Sequence, residues 1–256
     1  MGALHGRHAL VTGGGSGIGA AIACALSDAG AAVTIAGRDA AKLDAVARDL
    51  NCATVVADVT READCEAMIA IARDNHGPLD IVVANAGAAE SAPFGKIDSG
   101  HWQRMLDVNL TGSFNTARAA LADLMRDGAG EGGRRLVFIA STAALKGYPY
   151  VAAYVAAKHG VLGLARALSA ELATTGVTVN AVCPGFTDTP LLDTSINAIT
   201  AKTKRSAEDA RAVLARDNAH NRLITPEEVA GTVLWLCMPE AASINGQAIA
   251  ISGGQV

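Results

Sequence analysis

The segment TGGGSGIG, residues 12–19, lies between an apolar run and a helical stretch, and its position decides the fold. The run before it, RHALVT at residues 7–12, is β-rich. The stretch after it, AAIACALSDAG at residues 20–30, has helical periodicity and ends at a glycine. Glycines at a strand-to-helix turn let the chain turn tightly and let backbone N–H groups approach an anion at the positive end of the helix. The segment therefore predicts a strand–turn–helix unit with an anion site at the turn.

β-rich runs alternate with helical stretches along the rest of the chain. The further predicted strands are residues 31–37, 53–59, 79–87, 134–141, 177–185 and 247–254. Helical stretches lie between them, among them a long one at about 99–127 and one at 226–237, which Thr225 caps and Pro226 opens. Such alternation is typical of parallel strands joined by right-handed crossovers. The predicted fold class is α/β: a single doubly wound Rossmann-type domain over residues 1–256, with a seven-stranded parallel sheet and helices on both faces.

Two segments do not follow this alternation. GAGEGG, residues 128–133, is interpreted as a surface loop, because elements continue on both sides of it without a change of composition. Residues 189–225 are the least regular stretch of the chain and carry no clear strand or helix pattern. We expect this second segment to be an insertion of irregular structure within the one domain.

The composition of the chain excludes several classes of function. A net charge of −4 and a pI near 5.8 give no basic field for nucleic acid. The five cysteines are scattered and include no CxxC pair, which indicates reduced thiols and no zinc site. No apolar run approaches the roughly 18 residues that span a bilayer, and the first strand begins too early to leave room for a signal peptide. We therefore expect a cytoplasmic protein with no metal, no nucleic-acid partner and no membrane contact.

The glycine segment stands in the context that a dinucleotide site requires, and its spacing is specific. Thr12-Gly13 followed by Gly17 and Gly19 resembles the TGxxxGxG fingerprint of the short-chain dehydrogenase/reductase family. Further matches to that family follow in order along nearly the whole chain. They are Asp58-Val59, Ala84-Asn85-Ala86-Gly87, Asn109 in DVNLTG, Ser141 at 13 residues before Tyr154, Tyr154-xxx-Lys158, and Pro184-Gly185-Phe186 with Thr189.

The resemblance implies an NAD(P)(H)-dependent oxidoreductase that interconverts a ketone and a secondary alcohol by hydride transfer. It implies a catalytic set in which Tyr154 is the general acid/base and Ser141 holds the substrate oxygen. Lys158 would also bind the nicotinamide ribose, and Asn109 would organise a water that connects Lys158 to solvent. The implied cofactor-binding residues are Gly13, Gly15, Ser16, Gly17, Ile18, Gly19, Arg38, Asp58, Val59, Asn85, Ala86, Gly87, Tyr154, Lys158, Pro184, Gly185, Phe186, Thr187 and Thr189.

All three tyrosines of the chain lie within seven positions, and their spacing to Lys158 separates them. Tyr154 and Lys158 are at i and i+4 of a predicted helix, so they share one face. A phenol has a pKa of about 10, and an ammonium group within about 4–6 Å lowers it by roughly 1–3 units. We therefore expect Lys158 to lower the pKa of Tyr154. Tyr148 and Tyr150 precede the helix, and either pocket lining or simple packing would explain them.

The end of the second strand indicates which nicotinamide cofactor is preferred. An acidic residue there would bind the ribose 2′-OH and repel a 2′-phosphate, but this chain has Gly37 followed by Arg38. A guanidinium without a carboxylate favours NADP(H). NAD(H) remains possible, because Ser16 is neutral where relatives carry a second basic residue, and Asp39 follows directly. In an NAD enzyme, Arg38 would stack on the adenine.

The substrate is the least determined part of the prediction. By position, residues 189–225 match the family's variable substrate lid, and CPGFTDTPLLD resembles polyketide-type and acyl-thioester ketoreductases. Leu191, Leu192, Ile196 and Ile199 would form its apolar cover. Lys202, Lys204 and Arg205 would either meet the phosphates of a coenzyme A or carrier-protein thioester or form a solvated helix end.

Four further expectations concern the substrate, the function and the assembly of the protein. A 3-oxoacyl or 3-hydroxyacyl thioester is one small-molecule substrate class. An NAD-dependent dehydrogenase of a small cyclic or aromatic alcohol is the alternative enzyme, and a non-catalytic dinucleotide sensor is the alternative of another class. The resemblance also implies a homotetramer or homodimer, joined through the helices around 99–127 and 152–174 and through the C-terminal segment.

Overall fold

The computed structural model describes residues 2–126, 133–203 and 205–256. Most of the predicted surface loop at 128–133 lies outside the described residues, and so does Lys204. The side chains of Ile199 and Lys202 also lie outside the described part. The apolar cover and the basic cluster predicted for the lid are therefore described only through their other members.

Seven parallel strands form one sheet, which confirms the predicted fold class. The strands are β1 (His8–Thr12), β2 (Ala32–Gly37), β3 (Ala53–Val56), β4 (Ile81–Ala84), β5 (Arg134–Ile139), β6 (Val177–Pro184) and β7 (Ala248–Ile251). Their order across the sheet is β3-β2-β1-β4-β5-β6-β7. The order reverses between β1 and β4, and ligands of open α/β sheets bind at the carboxyl ends of the strands beside such a reversal.

Helices cover both faces of this sheet. They are α1 (Gly17–Asp28), α2 (Ala40–Leu50), α3 (Glu62–His76), α4 (Ser99–Leu106), α5 (Gly112–Leu124), α6 (Ala152–Glu171), α7 (Pro190–Lys202), α8 (Ala207–Ala215) and α9 (Pro226–Cys237). One apolar core joins the sheet to α3, α5 and α6. A second core, on the other face, joins it to α1, α2 and α9. No helix of the described part is both long and apolar enough to cross a membrane.

The predicted helix start at Thr225 is confirmed. The Thr225 hydroxyl accepts a hydrogen bond from the Glu228 amide at 3.3 Å, and the Glu228 carboxylate accepts one from the Thr225 amide at 2.8 Å. Pro226 occupies the first helical turn, where its missing N–H leaves no helical bond unmade. This reciprocal arrangement fixes where α9 begins after the lid.

The long helical region expected at 99–127 is interrupted by a π-helical turn at Asp107–Thr111 between α4 and α5. A π-turn inserts one extra residue into the helix and redirects the side chains around it. Strands β3 and β4 are also shorter than predicted, because residues 57–59 and 85–87 leave the ladder at the carboxyl edge. The apolar residues continue beyond the last backbone hydrogen bond between neighbouring strands. A prediction from hydrophobicity alone therefore makes each strand too long at its carboxyl end.

The prediction that residues 189–225 are irregular was wrong, because α7 and α8 lie there. The two helices bury a small apolar cluster of their own, formed by Leu192, Ile196, Ala210 and Leu214. Ser206 caps α8 by accepting a hydrogen bond from the Asp209 amide at 3.1 Å. Threonines and charged residues interleave with the few apolar positions, which hides the helical period in the sequence.

His8 is the first residue of β1 and is buried. It lies at the edge of the sheet formed by the amino ends of the strands, away from the carboxyl edge. Its Nδ1 is 2.8 Å from the carbonyl oxygen of Gly77, which can only accept, so the neutral ring carries its proton on Nδ1. Nε2 is 2.9 Å from the Thr34 hydroxyl and accepts from it. Burial lowers the pKa of His8, although the hydrogen bond to Gly77 acts in the opposite direction. The folded protein therefore favours the neutral imidazole.

This burial predicts a pH-dependent stability. As pH falls below about 6.5, the unfolded chain takes up a proton at His8 more readily than the folded chain does, so the free energy of unfolding falls. The variant His8→Gln lacks this contribution. In urea unfolding at about pH 7.5 and about pH 5.5 we expect its stability to fall less than that of the wild type. His5→Gln, at an exposed position, is the matched control and should keep the wild-type pH dependence. Equal losses in His8→Gln and in the wild type would contradict this account.

Candidate active site

The carboxyl ends of the central strands open into a cavity of about 810 Å³. The glycine segment after β1 and residues 85–87 after β4 form one side of it. Ser141, Tyr154 and Lys158 lie on its floor, and residues 184–192 together with α8 form the opposite wall. The predicted catalytic residues and most of the predicted cofactor residues are thus brought together in one place.

Thr12 and Asn85 join the ends of β1 and β4, and we call their hydrogen bonds the Thr12–Asn85 clasp. The Thr12 hydroxyl accepts from the amides of Asn85 at 3.0 Å and Ala86 at 3.2 Å, and it donates to the Val83 carbonyl at 3.4 Å. The Asn85 side-chain amide donates to the carbonyls of Thr12 at 2.8 Å and Gly13 at 3.3 Å. Asn85, predicted as a cofactor residue, therefore holds the glycine turn in place.

The glycine turn is a cradle that side chains would fill. A Cβ added to Gly19 would lie 2.2 Å from the Gly13 carbonyl oxygen, and one added to Gly13 would lie 2.8 Å from the Asn85 amide nitrogen. Gly13 and Gly17 have positive φ angles of 68° and 53°, which favour glycine. A Cβ on Gly17 would also approach the Thr189 methyl group to 3.1 Å, so the turn lies directly against the start of α7.

The first turn of α1 has the features of an anion site. Ser16 is its N-cap in extended conformation, but the serine hydroxyl makes no capping hydrogen bond, and the first turn contains no acidic residue. Ser16 and Ile18 both line the cavity. The helix therefore presents uncapped N–H groups at its positive end beside a bare backbone, which fits a dinucleotide pyrophosphate.

The ends of β2 and β3 carry the charges expected to meet the adenosine ribose. Arg38 is exposed directly after β2. The pKa of Asp58 is lowered: burial acts to raise it, but hydrogen bonds from the Thr60 amide and hydroxyl, at 3.0 and 2.8 Å, and the charges of Arg38 and Arg61 outweigh burial. Asp58 thus stays ionised, and its charge interacts with that of Arg38.

Asp39 follows Arg38 directly and stands at the start of α2. Its carboxylate caps α2, accepting from the Lys42 amide at 3.2 Å, and it pairs with the Lys42 ammonium at 3.7 Å. Gly15 lies against the same helix turn, because its Cβ would be 3.1 Å from the Lys42 Cβ. The carboxylate that made NAD(H) a possibility is therefore engaged by its own helix.

Tyr154 and Ser141 both line the cavity, and the Ser141 hydroxyl donates to the Pro184 carbonyl at 3.5 Å. Burial raises the pKa of Tyr154, and the nearby Ser141 side chain acts to lower it. The Ser141 hydroxyl also accepts from the Ala143 amide at 3.1 Å, which fixes its orientation after β5. The pKa of Tyr154 is raised overall and not lowered as we predicted from the position of Lys158, because burial is the largest influence on it. The Lys158 ammonium lies 5.6 Å from the centre of the Tyr154 ring and is bound elsewhere.

Lys158 is a buried cation, only 4% exposed, and its Nζ donates to the Ile139 carbonyl at 2.9 Å. Burial lowers the pKa of Lys158 to about 8. An ammonium group has three N–H donors, and the Ile139 carbonyl accepts one of them. A Cβ on Gly87 would lie 3.7 Å from this ammonium. The bare backbone at Gly87 leaves the ammonium facing the cavity, which fits a cofactor ribose hydroxyl.

Asn109 lies at the centre of the π-turn and is fully buried. Its side-chain amide donates to the carbonyls of Ala88 at 2.9 Å and Met105 at 3.0 Å, and its oxygen accepts from the Ala88 amide at 3.3 Å. Both N–H donors therefore bind backbone, which fixes the segment after Gly87. The water-organising role implied by the resemblance stays a prediction.

The loop after β6 reaches the cavity as predicted, and a residue that the sequence did not single out holds it. Pro184, Gly185, Phe186, Thr187 and Thr189 all line the cavity. Asn218, fully buried, accepts from the Phe186 amide at 3.0 Å and donates to the Phe186 carbonyl at 2.8 Å. No local pattern around Asn218 distinguishes it from other polar residues of the lid.

Val59 and Arg205, which the sequence analysis also named, do not line the cavity. Val59 is buried, and its carbonyl accepts from the Asn115 side chain at 2.9 Å, so it joins α5 to the end of β3. Thr203 lines the cavity mouth, and Arg205 is exposed nearby in sequence. Within residues 2–126, 133–203 and 205–256 there is no cluster of three or more His, Cys, Asp or Glu side chains that would hold a metal ion.

Tyr148 and Tyr150 both line the cavity, but they differ in their contacts. The Tyr148 hydroxyl lies 2.7 Å from the Thr142 hydroxyl and 2.8 Å from the Gln255 side-chain oxygen. Tyr150 has a positive φ of 68°, is 65% exposed, and contributes its carbonyl to a hydrogen bond from the Ala92 amide. Tyr148 therefore lines the cavity and also packs against the protein through its hydroxyl, whereas Tyr150 lies at the exposed rim of the cavity.

Comparison with known proteins places this site in a family. The family model for short chain dehydrogenases matches residues 7–199. D-beta-hydroxybutyrate dehydrogenase of Rhizobium meliloti is 36% identical over 97% of this chain and 98% of its own length. Cis-4-hydroxycyclohexanecarboxylate dehydrogenase of Sinomonas cyclohexanicum is 38% identical over 97% of this chain and 96% of its own. A crystal structure of an actinorhodin polyketide ketoreductase variant with NADPH superposes with a TM-score of 0.92 at 34% identity, covering 97% of both chains.

The Thr12–Asn85 clasp predicts the effect of substituting Thr12. The variant Thr12→Val keeps the shape of the side chain but removes the acceptor for two amides, so we expect a loss of about 1–2 kcal/mol in the free energy of unfolding. Thr12→Ser, the matched control, keeps the hydroxyl and should lose less. Urea unfolding of both variants measures this difference. Equal stability of Thr12→Val and Thr12→Ser would contradict the role assigned to the hydroxyl.

Proposed function

The chain belongs to the short-chain dehydrogenase family, and we propose that it interconverts a ketone and a secondary alcohol with NADP(H), using Tyr154 as general acid/base. As a member of this family it is an oxidoreductase that acts on CH–OH and C=O groups. The observation that carries the proposal is that Ser141, Tyr154 and the buried Lys158 line one cavity at the carboxyl edge of the sheet, with the Lys158 ammonium 5.6 Å from the centre of the Tyr154 ring. The glycine cradle faces the same cavity.

In the direction of reduction, the substrate oxygen lies between the hydroxyls of Ser141 and Tyr154. Ser141 donates a hydrogen bond to that oxygen and holds the carbonyl in place. Because burial raises the pKa of Tyr154, its phenol keeps its proton until negative charge develops on the substrate oxygen. Tyr154 then gives its proton to that oxygen and becomes a phenolate. In oxidation the same phenolate takes the alcohol proton.

Lys158 stabilises the phenolate by its charge. The i, i+4 spacing on α6 places both side chains on one face, with the ammonium 5.6 Å from the centre of the Tyr154 ring. Because the pKa of Lys158 is about 8, its charge is largely present at neutral pH and decreases at higher pH. The carbonyl of Ile139 fixes the ammonium so that this support needs no rearrangement.

The nicotinamide cofactor supplies the hydride when bound, and the residues that would hold it are those of the cradle. The uncapped N–H groups at the start of α1 would bind the pyrophosphate, and the Lys158 ammonium would bind a ribose hydroxyl. The residues after β6, with Thr187 and Thr189, would flank the nicotinamide. Most of the cofactor-binding residues predicted from the sequence line this cavity, whereas Gly15, Arg38, Asp58 and Val59 lie outside its lining.

NADP(H) is the proposed cofactor because the β2 edge carries a free cation and no free carboxylate. Arg38 is exposed there, whereas Asp39 caps α2 and Asp58 is bound by Thr60. A guanidinium matches the geometry and charge of a 2′-phosphate. The structural relative that superposes over 97% of the chain carries NADPH.

A 3-oxoacyl thioester is the substrate we propose first. The cavity is large, its wall is mostly apolar, and its lining includes Leu191 and Leu192 of α7, Leu214 of α8 and Thr203 between the two helices. Such a channel suits an acyl chain attached to a carrier outside the protein. The likeness to a polyketide ketoreductase supports this choice. Small cyclic ketones are the second choice, since a relative at 38% identity is named for a hydroxycyclohexane substrate.

We also propose that the protein is cytoplasmic and assembles as a homotetramer or homodimer. Trp102, Phe114 and Met125 are large apolar side chains on or beside α4 and α5, and they are 38%, 43% and 46% exposed. An apolar surface on neighbouring helices favours association with a second copy through the same face.

The proposed function is tested by turnover of a ketone panel with NADPH. The panel contains S-acetoacetyl-N-acetylcysteamine, acetoacetate, cyclohexanone and 4-tert-butylcyclohexanone. We expect the wild type to reduce at least one of them, and Tyr154→Phe to lower kcat by about 10²–10⁴-fold with NADPH affinity unchanged, because only the proton donor is lost. Binding of NADPH without turnover of any panel member would instead support the non-catalytic sensor.

The cofactor preference is tested by fluorescence titration of NADPH and NADH. We expect Arg38→Gln to weaken NADPH binding about tenfold and to leave NADH binding unchanged, because the guanidinium meets only the 2′-phosphate. Arg48→Gln, which removes the same charge from an exposed position of α2, is the matched control. Tighter binding of NADH by the wild type would contradict the assignment and favour the NAD-dependent dehydrogenase.

A further inference from the structure

We propose that Tyr148 is a specificity-determining wall residue of the ketone site and that Gln255, four residues after β7, positions it through a hydrogen-bonded chain. The inference rests on the proposed function, since it concerns which ketones that site accepts. It assigns roles to two residues that lie outside the catalytic set.

The direction of each hydrogen bond in this chain follows from its members. The Gln255 side-chain oxygen can only accept, so the Tyr148 hydroxyl donates to it at 2.8 Å. A phenol has a single proton, so Tyr148 must accept from the Thr142 hydroxyl at 2.7 Å. The chain runs from Thr142 through Tyr148 to Gln255, and both hydrogen-bonding directions of the phenol are used.

Both ends of this chain are anchored in the fold. Thr142 is buried and follows Ser141 directly, in the short 3₁₀ helix Thr142–Ala144. At the other end, the backbone amide of Gln255 donates to the Ser252 hydroxyl at 3.1 Å, and Ser252 is itself buried. The position of the Tyr148 hydroxyl is therefore fixed relative to both Ser141 and the end of β7.

The ring of Tyr148 is also held by its neighbours. It packs edge-to-face against Phe186, with ring centres 6.1 Å apart and planes at 86°. The Lys146 ammonium lies 4.9 Å from the ring centre. These contacts leave the ring as a fixed apolar surface at the cavity wall, with its hydroxyl directed away into the protein's own network.

A fixed aromatic wall, hydrogen-bonded to the residue that follows Ser141, discriminates substrates by shape. Because its hydroxyl is occupied by Thr142 and Gln255, Tyr148 offers the substrate ring surface and no free hydrogen-bonding group. The group attached to the carbonyl on this side is therefore apolar and limited in size. Tyr150 provides the contrast, since its exposed ring at the rim has no comparable anchor in the described structure.

The test uses the ratio of kcat/KM for the smallest and the bulkiest panel ketone that the wild type reduces. We expect Tyr148→Phe, which removes both hydrogen bonds, and Gln255→Leu, which removes the acceptor, each to change this ratio about fivefold in favour of the bulkier ketone. Gln247→Leu removes an amide from an exposed position of the same C-terminal region and is the matched control. General damage to the fold would lower both kcat/KM values together and leave their ratio unchanged.

The double variant distinguishes a chain from two separate effects. If Gln255 acts through the Tyr148 hydroxyl, Gln255→Leu should have no further effect on the ratio in the Tyr148→Phe background. The affinity for NADPH should stay that of the wild type, because the glycine cradle and Lys158 are unchanged. A ratio unchanged within about twofold in both single variants, or additive effects in the double variant, would overturn the proposal. Absence of any ketone turnover by the wild type would instead be a failure of the proposed function.

Discussion

The Thr12–Asn85 clasp holds together the two strands between which the order of the sheet reverses. The Thr12 hydroxyl, at the end of β1, accepts hydrogen bonds from the amides of Asn85 and Ala86, the first residues after β4. The Asn85 side chain donates to the carbonyls of Thr12 and Gly13 at the glycine turn. A Cβ on Gly19 would collide with the Gly13 carbonyl, so the first turn of α1 packs against the glycine turn only because residue 19 is glycine. The clasp holds that turn and therefore fixes where α1 starts. The cavity, the cradle and the bare backbone at Gly87 beside Lys158 all follow from this junction.

Burial sets the chemistry on the floor of the cavity. Burial raises the pKa of Tyr154 and lowers that of Lys158 to about 8, so both groups are drawn towards their neutral forms. A protonated phenol suits reduction, whereas oxidation requires the phenolate to be favoured. The nearby Ser141 side chain acts in that direction, because it lowers the pKa of Tyr154. A bound oxidised nicotinamide ring, being positive, would add to it. Cofactor binding and proton transfer are thus coupled through one tyrosine.

Local spacing predicted the residues whose roles depend on local geometry, and it did not predict those that depend on distant contacts. The i, i+4 pair Tyr154 and Lys158 follows from helix periodicity, and the glycine turn from its place between strand and helix. The π-turn around Asn109 and the two lid helices could not be read from hydrophobic periodicity. Asn218 and Gln255 act on loops 32 and 107 residues away in sequence, and no pattern near them indicates those partners. The pKa of Tyr154 was predicted in the wrong direction because burial, which outweighs the lysine, is a property of the folded chain.

The central claim is that a bound oxidised cofactor favours the phenolate of Tyr154, which Lys158 stabilises by its charge. The chain has three tyrosines, so ¹³Cζ-labelled tyrosine gives three NMR signals, and the signal absent from Tyr154→Phe identifies the catalytic one. We would titrate this signal with pH in the free protein and with NADP⁺ bound. The account predicts that Tyr154 ionises at lower pH with NADP⁺ bound than without it, and that Lys158→Met reduces this difference. Ionisation of Tyr154 at the same pH in both states would contradict the account.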